Sequence, residues 1–574
     1  MAKFEGEALY AAAVKAHRKR DLMKAGALYA QFVRVNPRLP AAWDQLGRIL
    51  AELGNVRDAE ECWLGIVQFM PDYPHIGQVY SQLCRALAMQ GREEALAYGR
   101  KAVEIDPRSE SAWLTLGTAL ETGGIYEEAL DCFERAAALG GQGHQFALYK
   151  LKRSICAWDG LDALEKRLLH PSYEWHPEML FCYFGFLPTT PAAQRQTAAR
   201  ATGKSPHPYF FPVGQPVKAA GRKIRLGFLS FDFRDHATSA LLASTFENFD
   251  RARFELHAFS TGPADDGEYA GRIRRAVDGF YDVSQAIDTE IAAHIMRCGV
   301  DILFDVGGYA KGNRWGILAR RPAPIQVNYL AWPGTMGAEF IDYMVADKIV
   351  APEPAWFSEK LLHLDCYQPT DDKRPEPRTP ERSRLGLPDE ALVLCSMNAA
   401  VKITPMIMAQ WCEILRELPS VVLWQYEDNP LAAGKLKEFA RQRGVAEQLA
   451  FAPPVPFREH IDRISVADLA LDTFPYGGHT TTSDLLWAGV PVVTLMGQSF
   501  VSRVATSLLH AVGMPELSTT TLSEYKALIP ALCRDRPRLA ALKAQLTASR
   551  RSCSLFDNKR YTRALEAKLI ALVA

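Results

Sequence analysis

The chain has 574 residues, with 66 basic and 66 acidic side chains and a formal net charge of zero. That length exceeds what one hydrophobic core serves, so three or four domains are expected, and the even charge gives no support to a nucleic-acid partner. No apolar run approaches the roughly 20 residues that cross a bilayer, and the opening MAKFEGEALY lacks the apolar core of a leader. Eleven Cys without a C-x-x-C pair read as reduced, mostly buried thiols. These features predict a cytoplasmic protein with no membrane partner.

From residue 5 to about 140 the chain is helical and repetitive. Pro37, Pro71 and Pro107 stand 34 and 36 residues apart, each closing an apolar helix (FVRVNP, IVQFMP, AVEIDP). Ala42-Trp43-x-x-Leu46-Gly47 returns 70 residues later as Ala112-Trp113-x-x-Leu116-Gly117, and Gly54, Gly91 and Gly124 sit where one helix turns into the next. This period, with Trp, Leu-Gly and a closing Pro, is the tetratricopeptide signature, and four units predict a short solenoid over 1–140. Residues 141–221 read as an irregular helical segment, helical around Gln145–Leu169. It leads to His176-Pro177 in an aromatic setting and a Pro/Gly-rich connector from Ser205 to Gly221.

From Lys223 the pattern alternates strand and helix. Ile224–Phe228, Phe254–Phe259, Ile302–Asp305, Gln326–Tyr329 and Tyr343–Val345 read as strands of one Rossmann-like domain over 222–380. Leu392–Cys395, Val421–Trp424, Leu449–Phe451, Ala467–Leu471 and Val492–Leu495 form a second over 381–574, which ends in an amphipathic helix, Lys559–Ala574. The most informative stretch lies in this second domain. A strand ending at Leu471 runs into Pro475-Tyr476-Gly477-Gly478, and His479-Thr480-Thr481-Thr482-Ser483-Asp484 opens a helix. Free N–H groups and the positive end of a helix dipole, approached over glycine, are how an α/β protein holds a phosphate. The alternative is an ordinary β–turn–α with Thr as N-cap. No Asp-x-Asp triplet occurs in the chain, which removes the commonest carboxylate clamp for a metal-bound diphosphate. No metal and no cofactor are expected.

SFDFRDHATS (230–239), GGYAKGNRWGILARRPAPIQVNYLAWPGTMG (307–337), LDTFPYGGHTTTSDLLWAGVPVVT (471–494), SRVATSLL (502–509) and LFDNKRYT (555–562) resemble the O-linked N-acetylglucosamine transferases, the family shared with the plant SPINDLY proteins. The likeness runs over nearly the whole chain. The animal members carry a large insert between the halves and many more repeats, so this chain is similar to a compact bacterial relative. The resemblance implies a tetratricopeptide solenoid followed by a GT-B fold, two Rossmann-like domains with a cleft between them. It implies metal-independent, inverting transfer of N-acetylglucosamine from UDP-N-acetylglucosamine to Ser and Thr hydroxyls, with the protein or peptide acceptor along the tetratricopeptide groove.

It also implies roles for particular residues. Lys402 matches a phosphate-contacting lysine, and Gly478, His479, Thr480, Thr481 and Thr482 form the diphosphate turn. His460 matches a base-stacking histidine and Asp484 a ribose-binding acid. Asp232 and His236 match candidates for proton handling near the acceptor, with His176 as a third pocket residue. Leu330 and Pro333 belong to the loop lining the sugar pocket. Without the motif, Asp232 would read as a helix cap with His236 packed against it. Phe457, Ala399, Ala331 and Ala310 depart from the animal pattern. They leave open another donor, such as GDP-fucose, or a nucleotide-binding tetratricopeptide scaffold with little turnover.

Overall fold

A computed structural model describes residues 2–573 other than 20, 141, 204, 206, 216 and 218–220. Part of the expected connector over Ser205–Gly221, and the last residue of the expected terminal helix, lie outside the described residues. The chain divides into two compact units. One comprises residues 1–152 and 159–173, the other residues 153–158 and 174–574.

In the first unit eight helices run from Ala2–Arg18 to Tyr126–Leu139 and pair as antiparallel hairpins. The helices are amphipathic, and their small residues let the partners approach closely. A Cβ at Gly47 would meet Trp63 Nε1 at 2.7 Å, and one at Gly117 would meet Phe133 Cε1 at 2.6 Å. The repeated Trp has its own use: Trp43 Nε1 donates to Pro37 O and Trp113 Nε1 to Pro107 O, both at 2.9 Å, tying each repeat to the proline before it. Two further helices, Gln142–Ser154 and Leu161–Leu168, follow the fourth hairpin.

The second unit holds two parallel sheets. The first has strands β1 (Ile224–Ser230), β2 (Phe254–Ser260), β3 (Gly279–Asp282), β4 (Ile302–Asp305), β5 (Ile325–Asn328), β6 (Tyr343–Ala346) and β7 (Lys360–His363) in the order β3-β2-β1-β4-β5-β6-β7. The second has β8 (Leu392–Ser396), β9 (Val421–Tyr426), β10 (Leu449–Ala452), β11 (Leu469–Leu471), β12 (Val492–Leu495) and β13 (Ser518–Thr519) in the order β10-β9-β8-β11-β12-β13. Central strands such as β4, β5, β8 and β12 are buried along their whole length, as strands covered by helices on both faces must be. Both sheets reverse their winding beside the first strand, between β1 and β4 and between β8 and β11. Ligands of doubly wound sheets bind at that point, off the strand C-termini.

Three strands go beyond the sequence expectation. β3 and β7 are half-exposed edge strands without a continuous apolar run, and β13 is only two residues long. The terminal helix, Asn558–Leu572, does not stay with the second sheet. It packs on the helix Ala237–Asn248 of the first, where Asn558 Nδ2 donates to Thr245 Oγ1 at 3.0 Å and Tyr561 shares a 2.9 Å hydrogen bond with Tyr329. One apolar cluster consequently runs from Ile224 through both sheets to Val573.

Valine at position 117 would have to displace the fully buried Phe133 ring. Gly117→Val is expected to cost about 1–3 kcal/mol of stability, seen as earlier melting of the helical signal in the full chain. An unchanged melting curve would show that the hairpin is not close-packed there.

Candidate active site

The switch point of the second sheet is organised by Asp472, the residue after β11. Its carboxylate is buried and accepts four hydrogen bonds. Gly478 N (2.6 Å), Thr473 N (2.9 Å) and Asn398 Nδ2 (3.2 Å) donate to Oδ1, and Thr494 Oγ1 (2.7 Å) donates to Oδ2. The Gly-Gly turn wraps around it so closely that a Cβ at Gly477 would stand 2.7 Å from Asp472 Oδ2, and one at Gly478 would stand 2.4 Å from Thr482 Oγ1. Glycine is required there for approach rather than for backbone angle.

Two of the amides expected to face a phosphate are therefore used internally: Gly478 N by Asp472, and Gly477 N by Val501 O at 3.3 Å. The free donors lie one step on. The N-cap of the helix Thr480–Trp487 is His479, not a threonine, and its side chain makes no capping hydrogen bond. The first intrahelical bond runs from Ser483 N to His479 O, so the N–H groups of Thr480, Thr481 and Thr482 precede the ladder. Thr482 Oγ1 turns back to Gly478 O at 2.9 Å and Ser483 Oγ to Thr480 O at 2.9 Å, which rigidify the turn.

Lys402 closes this site from the neighbouring strand. It ends a single 3-10 turn after β8, with Nζ 3.0 Å from Gly477 O, 3.4 Å from Asn398 Oδ1 and 4.2 Å from the centre of the Tyr476 ring. Burial lowers its ammonium to about 8, against the pull of Asp472. The two nearby histidines are held neutral: burial brings His479 down to about 3 and His460 down to about 4, assisted by Lys402 and Arg463 respectively. Of these three side chains, Lys402 is thus the one that brings positive charge to the turn. His460 lies on the helix Phe457–Ile464, which packs against Thr480–Trp487, and Arg463 Nη2 lies 3.3 Å from its Nδ1. Asp484 is buried in the phosphate-turn helix 2.8 Å from Arg374 Nη1, its carboxyl pushed up to about 6 by burial.

At the switch point of the first sheet, His236 rather than Asp232 caps the helix Ala237–Asn248, with Nδ1 accepting from Thr238 N at 3.3 Å. Asp232 lies between the His236 ring and the guanidinium of Arg234. Its Oδ2 is 3.4 Å from His236 Nδ1 and its Oδ1 is 3.5 Å from Arg234 Nη2. Burial lowers the His236 ring below its usual range; Asp232 opposes this and Arg234 reinforces it. Across the strand, the loop after β5 carries Leu330 at φ 77°, with Ala331 N reaching Tyr329 O at 3.2 Å in a strained γ-turn. Pro333 is buried in the same loop, which Glu359 fixes by accepting from Thr335 Oγ1 at 2.7 Å and Met336 N at 2.6 Å.

The segment after His176 joins the two switch points. In the helix Leu180–Gly185, Phe181 lies 6.2 Å from Trp332 of the first half and 5.9 Å from Tyr476 of the second, and Phe184 sits 4.9 Å from Trp332. His176 is exposed just ahead of this wedge. Among the described residues its side chain makes no hydrogen bond or ion pair with the other candidates. Phe457, near His460, meets Tyr269 of the first half edge-to-face at 6.1 Å.

Sequence reasoning overlooks four contributors: Asp472, Glu359, Arg374 and Arg153. Arg153 Nη2 donates to Val401 O at 2.8 Å, and Cys156 Sγ reaches Ala400 O at 3.7 Å, so the short segment 153–158 braces the turn that bears Lys402. An acid directly after a switch-point strand is a signal that could have found Asp472; the other three have none.

The profile of glycosyl transferase family 41 matches residues 161–374 and 370–565, and the chain belongs to that family. It is 37% identical over 372 residues to the probable UDP-N-acetylglucosamine–peptide N-acetylglucosaminyltransferase SEC of Arabidopsis thaliana, covering 62% of this chain and 38% of that one. It is 27% identical over 554 residues to the UDP-N-acetylglucosamine–peptide N-acetylglucosaminyltransferase of Caenorhabditis elegans, covering 72% and 47%. A variant O-GlcNAc transferase of Thermobaculum terrenum matches its structure with a TM-score of 0.66 at 26% identity, over all of this chain and 98% of the other. The chain spans less than half the length of the two curated relatives, 38% and 47%.

Because the Lys402 ammonium loses its proton near pH 8 in the free protein, affinity for UDP is expected to fall as pH rises through about 8. Lys402→Arg is expected to flatten that limb, since a guanidinium stays charged. Titration calorimetry over that range checks both, and a wild-type affinity indifferent to pH there would remove Lys402 from the anion site.

Proposed function

We propose that this chain transfers N-acetylglucosamine from UDP-N-acetylglucosamine to Ser and Thr hydroxyls of proteins, with inversion at the anomeric carbon and without a metal. The observation that carries the reading is Lys402 set beside the unspent amides of Thr480, Thr481 and Thr482, at the switch point of a sheet whose family transfers glycosyl groups. Departure of UDP builds charge on its β-phosphate, and a fixed cation with oriented N–H dipoles stabilises that charge as it forms.

His460 and Asp484 would take the nucleoside, base and ribose respectively. The strained turn at Leu330, with Pro333, would wall the sugar. On the acceptor side the hydroxyl oxygen attacks C1 while its proton leaves for a base. Nδ1 of His236 is used as an acceptor by the helix cap, so the neutral ring carries its proton on Nε2. That leaves Asp232 as the group with a free lone pair, acting directly or through a water, with His236 beside it. A pocket of about 300 Å³ in the solenoid, lined by Arg48, Trp63, Arg85 and Met89 among others, offers an acceptor polypeptide both charge and apolar surface.

UDP is expected to bind with EDTA present as tightly as without it, and more tightly than GDP. Binding that EDTA abolishes and magnesium restores would overturn the metal-free reading, and preference for GDP would reassign the donor. Lys402→Ala is expected to lower turnover on the order of 100-fold or more while the melting temperature holds. Near-normal turnover would show that Lys402 does not act on the leaving group and would misplace the phosphate site.

A further inference from the structure

The linker between the two sheets is fastened at three points. Asp371 accepts a bidentate pair from Arg272 at 2.7 and 2.8 Å, and Ser244 Oγ bonds the same carboxylate at 2.5 Å. Pro375 O accepts from Trp487 Nε1 at 2.8 Å. Between them Arg374, with no exposed side-chain surface, reaches into the phosphate-turn helix. Its Nη1 stands 2.8 Å from Asp484 Oδ1, and its Nη2 donates to Ser483 Oγ at 3.3 Å.

These two buried arginines are built differently. Arg272 meets Asp371 fork to fork, the arrangement that satisfies both partners and suits a staple. Arg374 does not close on Asp484 in that way. Its Nη1 and the facing Oδ1 are near but outside hydrogen-bond geometry, and the guanidinium spans to Ser483 instead. Among the described residues nothing donates to Asp484 Oδ2. A buried carboxylate that faces a cation on one oxygen and takes a hydrogen bond on neither is incomplete until a ligand supplies a donor. A ribose diol has two such O–H groups.

We propose that Arg374 is a positioning residue for the nucleoside end of the donor, holding Asp484 so that its second oxygen takes the ribose hydroxyls. The inference rests on the reading of Asp484 given under Proposed function. The linker then serves the site as well as the connection: its anchorage to Arg272 and Trp487 fixes where the guanidinium stands, and the guanidinium fixes where the carboxylate points. A neutral side chain at 374 would leave the acid uncompensated in a dry site, where it takes a proton and accepts poorly.

The test compares UDP with 2′,3′-dideoxy-UDP on the full chain, by calorimetry, for the wild type, Arg374→Met and Arg374→Lys. The wild type is expected to prefer UDP by about 10- to 100-fold, the effect of hydrogen bonds to a charged acceptor. In Arg374→Met, UDP binding should weaken roughly 10-fold while dideoxy-UDP binding stays close to that of the wild type, so the preference collapses. Arg374→Lys keeps the charge but cannot span Asp484 and Ser483, and should recover part of the preference. A methionine variant that keeps the full preference, or weakens both ligands alike, overturns the inference while leaving the Asp484 reading intact. A wild type with no preference overturns the Asp484 reading, and the inference with it. If Arg374→Met fails to fold by circular dichroism, Arg374→Lys decides: a preference equal to the wild type's overturns the proposal, and an intermediate one supports it.

Discussion

The carboxylate of Asp472, buried at the end of β11, takes hydrogen bonds from Gly478 N, Thr473 N, Asn398 Nδ2 and Thr494 Oγ1. Those donors come from the turn, from the loop after β8 and from β12, so one acid draws three neighbouring pieces of backbone together. It also sets the electrostatics. Burial raises its own carboxyl against several hydrogen bonds, and the same burial lowers the Lys402 ammonium that it attracts. Gly477 follows from this one contact, because any side chain there would intrude on the carboxylate. On the proposed function, an anion site preorganised in this way would need no rearrangement when charge appears on a leaving phosphate.

The two halves of the second unit are held in register by means that neither sheet has alone. Phe181 and Phe184 fill the space between Trp332 and Tyr476, and the Gly185 backbone passes so near Tyr476 that a Cβ there would meet its ring at 2.9 Å. The terminal helix returns to the first sheet, and Glu566 Oε1 accepts from Asp250 N at 2.6 Å. Add the linker fastened at Asp371, Arg374 and Pro375, and the halves share one core. Two sites on separate sheets become a single centre only under such constraint, since a small displacement of reacting groups forfeits much of the rate.

The sequence by itself determines the helical repeats, the two alternating α/β runs and the Gly-Gly turn, because each is written in local spacing: a period near 34, buried strands three to seven residues long, glycine beside hydroxyls; Lys402, Asp232 and His236 are singled out only by the resemblance to the transferase family. Edge strands β3 and β7 escape it, being half-exposed and so without the continuous apolar run that marks a buried strand. The tertiary structure alone decides which amides are free. The turn offers six from 477 to 482, but those of Gly477 and Gly478 are consumed by Val501 and Asp472. It alone decides that His236, not Asp232, caps the following helix. It alone joins Arg374 to Asp484, 110 residues later, and Arg153 to Val401, 248 residues later. The physical reason is the same in each case. A hydrogen bond or ion pair depends on where the chain has been brought in space, and no local pattern records a partner that lies a hundred residues away.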